Sequence, residues 1–278
     1  VANTGDQNVL VFNLQDILNH EPEAVPCIQV VGAPSAEELR NDVEYVPSKI
    51  VSDAGGRMYV VSRYQTHGIL QFSNEGQFIG FLGATRVRPT AWDIFIRMIA
   101  TDEMKRGILK LIPTEYNNLA IDHEGFVYTT IGNVIPSEIY EQIQLRQNAQ
   151  DLPVRWLNPL GNDVLLNKGF YPQVGDLHFE LYGESNAGPS TFAGVAVNRN
   201  GIYSALDSKR GKVFTYDREG NLLYIFGGDG DGIDHLGMPT GLSYYKDSIY
   251  ITDGKNSVIK RFSPTVYAQN ILNAIAFQ

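Results

Sequence analysis

Short apolar runs alternate along the chain with polar, glycine-bearing turns, and the alternation repeats. One phrase returns four times: an apolar run, a turn rich in Asp, Asn and Gly, then a second apolar run that contains Tyr. It reads Ile50-Val51-Ser52-Asp53-Ala54-Gly55-Gly56-Arg57-Met58-Tyr59-Val60, then Leu119-Ala120-Ile121-Asp122-His123-Glu124-Gly125-Phe126-Val127-Tyr128. It returns as Val195-Ala196-Val197-Asn198-Arg199-Asn200-Gly201-Ile202-Tyr203 and as Gly241-Leu242-Ser243-Tyr244-Tyr245-Lys246-Asp247-Ser248-Ile249-Tyr250. β-branched and aromatic flanks suit strands, and Asn, Asp and Gly accept the positive φ of a tight turn, so each copy predicts a β-hairpin. Gly56, Gly125, Gly201 and Gly220 are accordingly expected in tight turns.

A third strand follows each hairpin after a polar loop, as in Ile69–Phe72, Val213–Tyr216 and Val258–Phe262. A second turn and a fourth strand complete the unit, as in Phe78–Gly83 and Leu222–Gly227. Four antiparallel strands per repeat describe a blade, so the fold class is an all-β propeller of four-stranded antiparallel blades. Tyr203 and Tyr250 stand one compact blade apart, near the ~40–50-residue period of propeller repeats. The other intervals are longer and predict insertions. Val9–Phe12 and Ile28–Gly32 fit a third and a fourth strand, so five blades are countable and the first lacks its opening strands. An open blade edge invites pairing, so residues outside this sequence or the C-terminal segment are expected to complete that blade, and a six-bladed parent is expected.

Helical spacing interrupts the repeat at two places. Ile94, Met98 and Ile99 within 90–110, continued by Met104, Ile108 and Leu111, predict one short helix. Ser137 as an N-cap before Ile139 and Ile143 predicts another over 137–147. After Pro264 the pattern turns helical again through Tyr267–Ile275. The expected division is a propeller over 1–264 and a helical exit segment over 265–278.

The chain has 278 residues, enough for one large all-β domain, with a formal net charge of −9. That balance argues against a broad phosphate-binding face, so nucleic acid is not an expected partner. The single cysteine, Cys27, excludes an intrachain disulfide, and its apolar neighbours predict a buried thiol. No apolar run is long enough to span a bilayer. Neither a Gly-x-Ser-x-Gly elbow nor a phosphate-binding loop occurs. His20, His67, His123, His178 and His235 lack metal-binding spacing. The run Asp229-Gly230-Asp231-Gly232-Ile233-Asp234 looks like a calcium loop but lacks the later bidentate Glu, so it reads as a connection between blades.

Loops after the Tyr strands of a propeller converge on one rim. Here they offer Arg63, Tyr64 and His67, Asn133, Lys209 and Arg210, and Lys255 and Asn256. Aromatic faces beside hydrogen-bonding and charged groups suit a carbohydrate, a peptide or a partner protein, so the chain reads as a binding scaffold more than as an enzyme. Arg210 and Tyr64 are expected to serve binding and to matter little for stability.

Several features together resemble NHL repeats: Pro47, Pro113 and Pro239 at the start of blades, the Asp-x-x-Gly hairpins, Asp207 and Asp253 in the loops, and the closing Phe226-Gly227-Gly228. Asn158–Val164, Ala205–Gly211 and Phe262–Ala268, with Phe95–Arg97, are similar to a group of bacterial membrane-associated proteins. In those, an NHL propeller precedes a tetratricopeptide-like region and a Yip-type membrane domain. That resemblance implies an extracytoplasmic propeller anchored at the cell surface through other regions and linked to carbohydrate uptake. Propellers of the gluconolactonase type supply the alternative, a metal-dependent lactonase or lyase. It would hold a divalent cation in the channel with Glu115, Asn117, Asp207 and Asp253 as candidate ligands; no other cofactor is implied.

Overall fold

A computed structural model describes residues 1–19, 21, 25–35, 37–39, 44–83, 115–132, 152–178 and 188–276. The helices expected over 90–110 and 137–147 lie outside the described residues. Blade 1 holds β1 (Ala2–Asn3), β2 (Asn8–Phe12) and β3 (Cys27–Val31), with the short helix α1 (Leu14–Asn19) between β2 and β3. Blade 2 holds β4 (Pro47–Ser52), β5 (Met58–Ser62), β6 (Ile69–Phe72) and β7 (Phe78–Leu82). Blade 3 holds β8 (Tyr116–Ile121), β9 (Val127–Ile131) and β10 (Val154–Leu157). A two-stranded ribbon of β11 (Leu177–His178) and β12 (Gly188–Pro189) precedes blade 4. Blade 4 contains β13 (Phe192–Val197), β14 (Tyr203–Asp207), β15 (Lys212–Tyr216) and β16 (Leu222–Gly227). Blade 5 holds β17 (Pro239–Tyr245), β18 (Ser248–Asp253) and β19 (Val258–Phe262), and α2 (Val266–Ala276) follows.

All five blades are antiparallel, and within each the strands pair in chain order. The first strands stand side by side, β4 by β8, β8 by β13 and β13 by β17, while β1 meets β4. This is an all-β, propeller-like architecture. Blade 1 keeps the end of its second strand, because Ala2 and Asn3 pair with Val9 and Asn8; the sequence read Asn3 as loop.

Apolar side chains fill the layers between neighbouring blades. Tyr59, Ile69 and Leu82 of blade 2 meet Tyr116, Leu119 and Leu157 of blade 3. Between blades 3 and 4, Tyr128, Val154 and Trp156 meet Phe192, Tyr203 and Phe214. Smaller clusters join blade 1 to blade 2 and blade 4 to blade 5. Cys27 departs from expectation. It opens the outer strand β3, which has no neighbour on one side among the described residues, and its thiol is exposed.

The turns explain why the repeat is legible. In the turns that begin at Asp53, Asp122, Asn198 and Asp217, the first residue accepts two backbone N–H groups on one side-chain oxygen. Asp122 Oδ1 takes Glu124 N and Phe126 N, both at 2.9 Å. Asn198 Oδ1 takes Asn200 N at 2.9 Å and Ile202 N at 3.0 Å, and Asp217 Oδ1 takes Glu219 N at 3.0 Å and Asn221 N at 2.8 Å. The side chain mimics a backbone turn, and the fourth residue must then be left-handed. Gly56, Gly125, Gly201 and Gly220 occupy that position, with φ of 80°, 81°, 74° and 87°. None lies within a strand, as expected.

Two of these glycines separate backbone strain from crowding. A Cβ on Gly125 would meet nothing within 4 Å, whereas one on Gly220 would collide with the Gln173 amide and the Leu166 carbonyl. Gly125→Ala is expected to cost about 1–2 kcal/mol, the left-handed penalty alone. Gly220→Ala is expected to cost about 2–4 kcal/mol, because a backbone carbonyl must also move. Urea denaturation of both variants checks this, and equal losses would refute the crowding argument.

Candidate functional site

Strand register places the loops after β5, β9, β14 and β18 at one end of the blades, beside the start of β4, β8, β13 and β17. The same backbone tie recurs there in four blades. Arg63 N donates to Val46 O at 2.9 Å, Gly132 N to Glu115 O at 3.3 Å, Ser208 N to Thr191 O at 3.2 Å and Gly254 N to Met238 O at 2.9 Å. A bulge follows at the start of each inner strand, at Ser48, Asn117, Ala193 and Thr240. Bulges re-aim side chains and recur beside functional sites. This loop end is therefore a scaffold repeated in four blades, carrying chemistry that differs from blade to blade.

The loop aspartates hold that scaffold together. Asp207 is fully buried, and its Oδ2 accepts Ser190 Oγ at 2.6 Å and Arg210 Nη1 at 3.0 Å. Its Oδ1 accepts Lys209 N at 2.9 Å, Arg210 N at 3.3 Å and Thr191 N at 3.4 Å. Asp253 does the same work in blade 5. It accepts Met238 N at 3.0 Å, with Gly237 N, Lys255 N and Asn256 Nδ2 each at 3.2 Å. In blade 2, Ser62 Oγ takes Val46 N at 2.8 Å instead.

Burial works to raise the pKa of Asp253. The N–H groups of Met238 and Gly237, the Asn256 amide and the Lys255 N–H outweigh it and hold the carboxyl down at about 2. A carboxyl with a depressed folded pKa contributes stability above its unfolded value, and loses it as pH falls through the folded value. Asp253→Asn is therefore expected to melt lower than the parent at neutral pH, by about 1–3 kcal/mol of stability. The gap should close between about pH 4 and pH 2. A gap that stays constant in melting curves over that range would contradict it.

The rim residues expected from the sequence differ in exposure and in what holds them. Arg63 and Tyr64 point outward, and Tyr64 is 68% exposed. Lys255 and Asn256 are exposed but tied, Lys255 to Asp231 at 2.7 Å and Asn256 to Asp253. His67 is half-buried, with Nδ1 2.9 Å from Gln65 Oε1 and its ring 5.8 Å from that of Phe81. Lys209 is half-buried on the Asp207 loop, and Asn133 lies outside the described residues. Arg210 departs from its expected role: it is buried and ion-paired with Asp207, so it braces the loop and its removal would lower stability.

Three of the four candidate metal ligands, Asn117, Asp207 and Asp253, are engaged by protein groups. The oxygens of Asp207 and Asp253 are taken up by protein donors. Asn117 Nδ2 donates to Phe192 O at 2.9 Å while its oxygen accepts from Thr130 Oγ1, and Glu115 is exposed at the start of β8. Among the described residues, no three His, Cys, Asp or Glu side chains are grouped to hold a metal ion. In the Asp229–Asp234 loop the cations are lysines. Lys260 Nζ donates to Gly232 O at 3.0 Å and to His235 O, and Lys255 pairs with Asp231.

Three features were not found from the sequence. Asn118, buried on β8, ties two inner strands: Nδ2 donates to Ala193 O at 3.2 Å and Oδ1 accepts Val195 N at 3.4 Å. Gln65 is buried and braces its loop by accepting His67 N at 2.9 Å. Tyr64 has a φ of 62°, which non-glycine residues seldom adopt. The loop that carries it is two residues longer than its counterparts at Asp207–Gly211 and Asp253–Ser257, a difference visible in the sequence.

No protein-family model matches the chain, and no curated protein matches it. Solved structures do. A crystal structure of a protein of unknown function from Bacteroides caccae superposes with a TM-score of 0.51 at 10% identity, covering 96% of this chain and 69% of that one. A catalytically inactive virginiamycin B lyase from Staphylococcus aureus, solved with quinupristin, has a TM-score of 0.39 at 12% identity, covering 80% of this chain and 57% of that one. At 10% identity the likeness to the Bacteroides caccae protein concerns the fold alone, and the class of this chain, a propeller-like all-β protein, rests on its antiparallel blades.

Proposed function

We propose that this chain is a non-catalytic binding propeller that holds a carbohydrate, a peptide or a partner protein on its loop-end rim. The observation that carries this reading is Tyr64. Its left-handed backbone costs of the order of 1 kcal/mol, and the ring it displays is mostly in water. A buried Gln65 and the half-buried His67 brace the loop behind it. Strain retained to expose an aromatic ring suits recognition better than packing. The NHL-like turn and loop aspartates support a repeat scaffold of that kind, and an extracytoplasmic propeller in a membrane-anchored bacterial parent is the setting this reading favours.

A screen of oligosaccharides and peptides by calorimetry tests it. Tyr64→Ala is expected to weaken any ligand found by about tenfold. Its melting temperature should stay within a degree or two of the parent, because the ring is exposed. Unchanged affinity in that variant would refute the site.

A further inference from the structure

The loops of blades 1 and 2 meet at one place on the rim. Thr4 Oγ1, in the loop between β1 and β2, donates to Pro47 O at 2.7 Å. Arg63 N, at the start of the Tyr64 loop, donates to the preceding carbonyl, Val46 O. The two loops thus hang on consecutive carbonyls of one connector. Each displays a non-glycine residue in the left-handed region, Gln7 at φ 54° and Tyr64 at φ 62°. Gln7 closes its loop where Gly211 and Ser257 close theirs in blades 4 and 5, all left-handed, whereas Tyr64 takes that conformation at the second position of a longer loop. Gln7 is exposed, and its Nε2 donates to Glu44 Oε1 across to the same connector.

We propose that this junction is a subsite for one residue of a neutral carbohydrate, with Tyr64 stacking on the sugar's C–H face and the Gln7–Glu44 pair taking its hydroxyls. The inference rests on the binding reading above and narrows it. Val9, Leu39 and Tyr45 are buried in the core cluster shared by blades 1 and 2, so Tyr64 is the aromatic ring these loops expose among planar polar groups. That composition suits a ligand with one apolar face and a ring of hydroxyls better than an apolar peptide side chain, which needs a pocket. The Gln7–Glu44 bond uses one N–H and one oxygen. An amide and a carboxylate carry further donor and acceptor capacity for vicinal hydroxyls. Asp6 and Glu44 together outweigh Arg63, so the local charge is unfavourable to an anionic sugar.

The test is calorimetric titration of the chain with malto-, cello-, xylo- and manno-oligosaccharides, with oligogalacturonate as the anionic control and an extended peptide panel in parallel. At least one neutral oligosaccharide should bind. Gln7→Gly removes the amide while keeping the backbone unstrained, and is expected to weaken that binding several-fold with an unchanged melting temperature. Tyr64→Ala should weaken it about tenfold. Binding of oligogalacturonate alone, or neutral sugar binding indifferent to Gln7→Gly, overturns the subsite. If only a peptide binds, and Tyr64→Ala weakens it, the carbohydrate assignment fails while the rim reading stands. If nothing in either panel binds, both fail.

Discussion

Asp207→Ala is expected to destabilise the fold by about 3–5 kcal/mol, the range for removing one partner of a buried ion pair. The carboxylate has no exposed surface, and five protein donors converge on it from two parts of the chain. Ser190 and Thr191 belong to the approach to β13, Lys209 and Arg210 to the loop after β14, and the guanidinium of Arg210 is itself buried. Removing the carboxylate takes the anion from a buried cation and an acceptor from three backbone N–H groups. Arg210→Ala should cost less, about 1–3 kcal/mol, because Ser190 and the backbone donors still reach Asp207. Chemical denaturation of both variants checks the order. A loss below about 1 kcal/mol for Asp207→Ala would show that the loop can rearrange around its absence.

The difference between these residues and their expected roles marks how far the sequence could be read. The hairpins were legible because their chemistry is local: an Asp or Asn accepts two N–H groups within four residues, and a glycine takes the left-handed position. β10 and the Asn158–Asn162 turn were not placed, although Asn158 Oδ1 accepts Leu160 N and Asn162 N in the same way, both at 3.0 Å. The long interval before them hides the blade spacing. Side-chain direction was the harder limit. Lys209 and Arg210 are neighbours in a polar loop, yet one is half-buried and the other reaches inward to Asp207, which nothing in their spacing predicts. Asn118 likewise gains its meaning from Ala193 and Val195, far along the chain on another blade. Tyr64 was picked out for its chemistry alone; the backbone strain that makes it informative has no signature in residue type.

Tyr203 offers a second large effect, in which two substitutions are expected to diverge. Its ring has no exposed surface and lies between those of Tyr128, at 5.1 Å, and Tyr216, at 5.4 Å. The stack continues from Tyr128 to Trp156 at 5.4 Å and from Trp156 to Phe126 at 5.3 Å, which joins blade 3 to blade 4. Trp156 is fixed at its edge by Asp122, which accepts Nε1–H at 3.0 Å, and Arg218 lies 4.9 Å from its centroid. Tyr203→Ala opens a cavity in the middle of this column and is expected to cost about 3–5 kcal/mol. The Tyr203 hydroxyl, however, is buried with no hydrogen-bond partner among the described residues, and burial pushes its pKa well above the ordinary tyrosine value. An unsatisfied buried hydroxyl costs stability, so Tyr203→Phe should be neutral or stabilising by about 1 kcal/mol. Denaturation of the two variants beside the parent separates ring from hydroxyl. A loss of more than about 1 kcal/mol in Tyr203→Phe would mean that the hydroxyl is satisfied after all. A loss below about 2 kcal/mol in Tyr203→Ala would mean that the aromatic column does not hold these blades together.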